Sequence, residues 1–145
     1  MPAKNVRSSK PPLVAVVDDD EAVREALSDL LLVMDVACRT FDRAEAFMAE
    51  YMPGRFSCLI TDVSMPGRSG LELQERLREL SSSMPVIVIT ADPSPATRAR
   101  ALKGGAQACL TKPVNDEVLL QHLQAALSRP GDVRDDNRRG TPSDE

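Results

Sequence analysis

Four groups of polar residues stand at the ends of four short apolar runs. Asp18, Asp19 and Asp20 follow the run 13–17, Asp62 follows Cys58-Leu59-Ile60, Thr90 follows Val86-Ile87-Val88-Ile89, and Lys112-Pro113 follows Ala108-Cys109-Leu110. Carboxylates, a hydroxyl and an ammonium brought to one place suit a divalent cation and a phosphoryl group. Adjacent carboxylates repel, and without compensation at least one pKa rises. A hard cation relieves that repulsion. Mg²⁺ takes oxygen ligands and retains several waters, so two or three carboxylates and a phosphate oxygen suffice. Lys112 offers a compact charge on a flexible stem that can bridge a carboxylate and a phosphoryl oxygen. The Thr90 hydroxyl can donate to another phosphoryl oxygen. Asp62, set apart from the acidic triplet, is then the candidate nucleophile, because carboxylates form aspartyl phosphates in such settings. Each feature alone has an ordinary structural explanation. Asp20 in particular is well placed to cap a helix.

These residues need a scaffold that aligns strand ends. The chain alternates strand-like runs with amphipathic stretches. Strands are predicted over residues 13–17, 36–41, 56–61, 85–89 and 106–110. Between them, Val23, Ala26, Leu27, Leu30, Leu31 and Met34 recur at helical spacing over 21–34, as do Leu73, Leu77 and Leu80 over 69–80. Asp42 is placed to cap a helix that Pro53-Gly54 stops, Pro95 suits a first helical turn, and Asn115 or Asp116 opens a last helix carrying Val118, Leu119, Leu123 and Leu127. Five strands alternating with five helices predict an α/β domain with a parallel sheet covered on both faces. Right-handed crossovers limit it to a doubly wound five-stranded sheet, with order 2-1-3-4-5. In such a sheet ligands bind at the carboxyl ends of the strands, at the switch point between the first and third.

Length and composition set bounds. The 145 residues suit one domain. Residues 1–12, with Lys4, Arg7 and Lys10, read as a flexible arm without an apolar signal segment. Residues 128–145, where Val133 is the one large apolar side chain, read as a disordered tail. Residues 13–127 hold 11 positive and 17 negative charges, a net of −6, and the whole chain has only three Phe, one Tyr and no Trp. A nucleic-acid interface calls for a basic face and stacking aromatics, so no nucleic-acid partner is expected. No apolar stretch is long enough to span a membrane, and three irregularly spaced cysteines read as reduced, buried thiols. A cytoplasmic location is expected.

The segments Val16-Val17-Asp18-Asp19-Asp20-Glu21, Thr61-Asp62-Val63-Ser64-Met65-Pro66-Gly67, Val88-Ile89-Thr90-Ala91 and Thr111-Lys112-Pro113 together resemble the receiver domain of bacterial two-component response regulators. The resemblance covers about residues 13–127, and 62–74 is most similar to receivers of transcription factors with a helix-turn-helix output. It implies a flavodoxin-like fold in which Asp18, Asp19, Asp62 and the Ser64 backbone carbonyl hold Mg²⁺. Asp62 would accept a phosphoryl group from a histidine kinase or histidine phosphotransfer protein, and Thr90 and Lys112 would bind it. Ala91 would leave room for it, and Lys112-Pro113 would be a cis peptide. Such a domain catalyses only its own phosphorylation and dephosphorylation and is not otherwise an enzyme. It signals to a downstream protein target or passes the group onward, as a monomer or weak phosphorylation-dependent dimer. With no second domain visible after Leu127, the pattern is that of a stand-alone receiver acting as shuttle, sink or regulator. Two departures stand out. Cys109 occupies the position where many receivers carry a switching aromatic, and Val114 follows Lys112-Pro113 where Phe is common. The face of the fourth helix, fifth strand and fifth helix is therefore expected to lack aromatic anchors. A haloacid-dehalogenase-type phosphatase, which uses Asp, Thr or Ser, Lys and Mg²⁺, is disfavoured. Its Asp-x-Asp-x-Thr/Val motif fails at Ala22.

Overall fold

The computed structural model describes residues 11–65, 67–92 and 94–128. The expected N-terminal arm and C-terminal tail lie, apart from their inner ends, outside the described residues. The elements are β1 (Leu13–Val17), α1 (Glu21–Val33), β2 (Ala37–Phe41), α2 (Ala44–Glu50), β3 (Cys58–Asp62), α3 (Gly70–Glu79), β4 (Val86–Thr90), α4 (Pro95–Lys103), β5 (Ala108–Thr111) and α5 (Asp116–Leu127). All strand pairs are parallel, and the sheet order is β2-β1-β3-β4-β5, as expected.

Side chains alternate across the strands and feed two cores. Val14, Val16, Cys58, Ile60, Ile87 and Ile89 pack with Leu27 and Leu31 of α1 and Leu119 and Leu123 of α5. Ala15, Val17, Leu59 and Val88 pack on the other face with Phe47 of α2, Leu73 and Leu77 of α3 and Ala101 of α4. β3 and β4 are buried along their whole length, which fits their continuous apolar runs Cys58-Leu59-Ile60 and Val86-Ile87-Val88-Ile89. β2, at the sheet edge, is mostly exposed and carries Arg39 and Thr40. The four aromatics gather at one end of the second core, with the Phe41 and Phe47 rings 5.6 Å apart and those of Phe47 and Phe56 5.2 Å apart.

Helix starts follow local chemistry. The Asp20 carboxylate accepts the Ala22 N–H, Ser69 and Glu72 form a capping box on α3, Ser94 caps α4 ahead of Pro95, and Asn115 caps α5. One start differs from expectation. Arg43, not Asp42, occupies the N-cap of α2, and its side chain makes no capping hydrogen bond. The Asp42 carboxylate instead pairs with the Arg43 side chain at 3.3 Å. Among the described residues, no helix is long and apolar enough to cross a membrane.

Candidate functional site

The register of the sheet sets the site. Val17 lies level with Thr61, Asp62 with Ile89, and Thr90 with Thr111. The carboxyl ends of β1, β3, β4 and β5 therefore share one rim, and Asp18, Asp62, Thr90 and Lys112 stand on it. Asp62 and Thr90 are the last residues of their strands rather than the first residues beyond, because the ladder extends past the apolar runs, by two residues in β3 and by one in β4.

Asp18 is fully buried, Asp62 is 4% exposed and Asp19 is exposed. One carboxylate oxygen from each lies within 4.8 Å of the others. The Lys112 ammonium bridges two of them, 2.9 Å from Asp18 Oδ2 and 3.2 Å from Asp62 Oδ2. The Lys112–Pro113 peptide bond is cis. Asp18 Oδ1 accepts the Asp20 N–H at 2.9 Å, while Asp18 Oδ2 takes no well-directed hydrogen bond and is compensated by the ammonium charge alone. Burial and the neighbouring Asp18 charge push the Asp62 pKa above the usual carboxylate value, against the opposing pull of Lys112 and of the Ser64 N–H that Asp62 accepts. Burial alone would lower the Lys112 pKa. The facing carboxylates outweigh it, and the net direction is upward.

Three buried or rim-facing carboxylates with one ammonium leave an excess of negative charge. A buried carboxylate oxygen, Asp18 Oδ2, that meets only the Lys112 ammonium and takes no well-directed hydrogen bond completes a set of hard oxygen donors. Both features fit a divalent cation such as Mg²⁺. Asp20 is not part of the cluster, since its carboxylate caps α1. Thr90 is buried, and its Oγ1 accepts the Asp92 N–H at 2.9 Å, which orients the hydroxyl group. Ser64 stands just beyond β3 in the exposed loop.

Sequence reasoning missed several supports. Arg24 of α1 donates to the Asp18 carbonyl at 2.7 Å, and Thr61 and Gly70 pack against the Asp62 carbonyl. These contacts are made to backbone atoms, for which no residue-type signature exists. Away from the rim, Arg98 of α4 donates to the Cys109 carbonyl at 2.8 Å, where an aromatic was missing. No Phe, Tyr or Trp lies on α4, β5 or α5. All three cysteines are free. Burial pushes the Cys58 thiol up to about 12 and raises Cys38 and Cys109, so none is poised as a nucleophile near neutrality.

Residues 14–124 match the response regulator receiver domain. The chain is 37% identical over 120 residues to response regulator protein TodT of Pseudomonas putida, covering 83% of this chain and 53% of that protein. It is 40% identical over 116 residues to transcriptional regulatory protein FixJ of Azorhizobium caulinodans, covering 80% of this chain and 55% of that protein. The solved structure of the BeF3-activated DrrB receiver domain superposes with a TM-score of 0.76 at 28% identity, covering 83% of this chain and all of that one. An α/β sheet with acidic and basic groups on its carboxyl rim defines the class, and this chain belongs to the response regulator receiver domain family of two-component signalling. It spans about half the length of the curated relatives it matches.

Proposed function

We propose that this domain takes a phosphoryl group from a phosphohistidine, on a histidine kinase or histidine phosphotransfer protein, onto Asp62. The carrying observation is the Lys112 ammonium held between Asp18 and Asp62 beside a three-carboxylate set. An ionised Asp62 oxygen attacks phosphorus as the histidine N–P bond breaks, and the electron pair leaves with the imidazole nitrogen. The raised Asp62 pKa marks a carboxylate whose charge is costly where it stands, and hence one that gains from bonding to phosphorus. The Lys112 ammonium transfers its contact to a phosphoryl oxygen, and the Thr90 hydroxyl donates to another. Asp18, Asp19, Asp62 and the Ser64 carbonyl would hold Mg²⁺, which supplies neutralisation of the phosphoryl charge. The same machinery returns the group to water, so the domain catalyses its own phosphorylation and dephosphorylation.

Output then passes through protein contacts or onward phosphotransfer, in the cytoplasm, by a monomer or weak dimer. The net charge of −6 over residues 13–127 supports a protein target rather than nucleic acid for this domain's own surface. Transcriptional regulation is what the FixJ name states of that relative. The test is incubation with acetyl phosphate and Mg²⁺ followed by intact-mass measurement. Wild type gains one phosphoryl group, and Asp62→Asn or added chelator prevents it. Equal labelling of wild type and Asp62→Asn overturns the assignment.

A further inference from the structure

Thr61 is completely buried, although it sits among apolar neighbours in the middle of the sheet. It alternates with Asp62, so its side chain lies on the opposite face, toward α3, and not on the cation side. Its hydroxyl donates to the Asp62 carbonyl at 3.1 Å. From the other direction comes Gly70, the first residue of α3. A Cβ there would stand 2.0 Å from the Asp62 carbonyl oxygen and 3.2 Å from Thr61 Oγ1. Gly70 has no positive φ, so what the position demands is space, not backbone freedom. Its N–H donates to the Val63 carbonyl at 2.9 Å, and the Ser64 N–H reaches the Asp62 carboxylate. The Asp62 carbonyl is thus bonded by the Thr61 hydroxyl and closely packed by Gly70, both on the face away from the acidic cluster, while the Ser64 N–H holds the carboxylate itself.

We infer that Thr61 is a positioning residue for the phosphoacceptor, fixing the Asp62 carboxylate through its own carbonyl against the start of α3. A reacting carboxylate must hold its direction closely, since a misplacement of about 1 Å can cost on the order of 100-fold in rate. A buried hydroxyl is costly to desolvate unless it is bonded, and valine has the same shape without that cost. The inference rests on the reading of Asp62 as phosphoacceptor.

The experiment compares Thr61→Val and Thr61→Ser with wild type and Asp62→Asn. It measures the initial rate of labelling by acetyl phosphate across a Mg²⁺ titration, with thermal melting alongside. Thr61→Val should lower the rate at saturating Mg²⁺ by about tenfold, a fraction of the misplacement limit. Its Mg²⁺ midpoint should move less than the rate, because Asp18 and Asp19 are untouched and an ion that keeps several waters tolerates a small shift of Asp62 better than in-line attack does. Thr61→Ser, which keeps the hydroxyl, should recover most of the rate. A Thr61→Val protein that labels at the wild-type rate, or a Thr61→Ser protein as slow as Thr61→Val, overturns the inference. Labelling of Asp62→Asn equal to wild type would instead remove the reading on which it rests.

Discussion

Asp62 carries the conflict on which the site is built: its charge is disfavoured by burial and by Asp18, and relieved only in part by Lys112. A carboxyl whose pKa is higher folded than unfolded binds its proton more tightly in the native state. Its contribution to stability is present at low pH and is lost as pH rises through the folded pKa. Asp62→Asn removes that loss. In chelator at pH 7 the variant should melt above wild type, and the gap should close as pH falls toward the ordinary Asp value of about 3.9. An unchanged gap across that range would count against the raised pKa. Asp19, exposed on the rim, tests the cation instead. Mg²⁺ at tenfold excess over its Kd should stabilise wild type by about 1.4 kcal/mol through linkage. That thermal shift should largely vanish in Asp19→Asn, and a full shift in the variant would remove Asp19 from the ligand set.

At the scale of elements, α3 is anchored where it matters, at the end that touches the Asp62 peptide. Ser69 accepts the Glu72 N–H at 3.1 Å while Glu72 accepts the Ser69 N–H at 2.9 Å. Ser69→Ala should therefore cost about 1 kcal/mol in urea unfolding with the slope unchanged. A null effect would mean that packing alone fixes this helix. The start of α1 was legible because Asp20 sits just ahead of apolar periodicity, and those of α4 and α5 because Pro95 and Asn115 or Asp116 mark a first turn; the capping roles of Ser69 and Ser94 were not read. The start of α2 was not legible. Asp42 is the better capping residue, but the helix begins beyond Arg43 and is held by Phe47 and Ala44 in the core rather than by a cap. Apolar spacing also overstated burial at helix margins: Leu80, the C-cap of α3, and Val118, in the first turn of α5, are about two-fifths exposed.

For the whole molecule, the legible part was the rim. Alternation and crossover handedness pointed to a doubly wound sheet, and the order 2-1-3-4-5 expected for it, which the structure shows, placed Asp18, Asp62, Thr90 and Lys112 together without any knowledge of distances. What stayed hidden were the contacts that aim these groups: Arg24 on the Asp18 carbonyl, Asp92 beneath Thr90, and Thr61 with Gly70 around the Asp62 peptide. They depend on backbone atoms meeting across elements, which residue types do not encode. The central claim is that this rim is one phosphoryl-binding site centred on Asp62. Its most direct test is a crystal structure of the domain grown with Mg²⁺ and beryllofluoride. The account predicts beryllofluoride bonded to an Asp62 carboxylate oxygen, with the Lys112 ammonium and Thr90 hydroxyl on its fluorines. Mg²⁺ should lie among Asp18, Asp19, Asp62 and the Ser64 carbonyl. Beryllofluoride on another carboxylate, or a saturated crystal in which Asp62 stays unmodified, would contradict it.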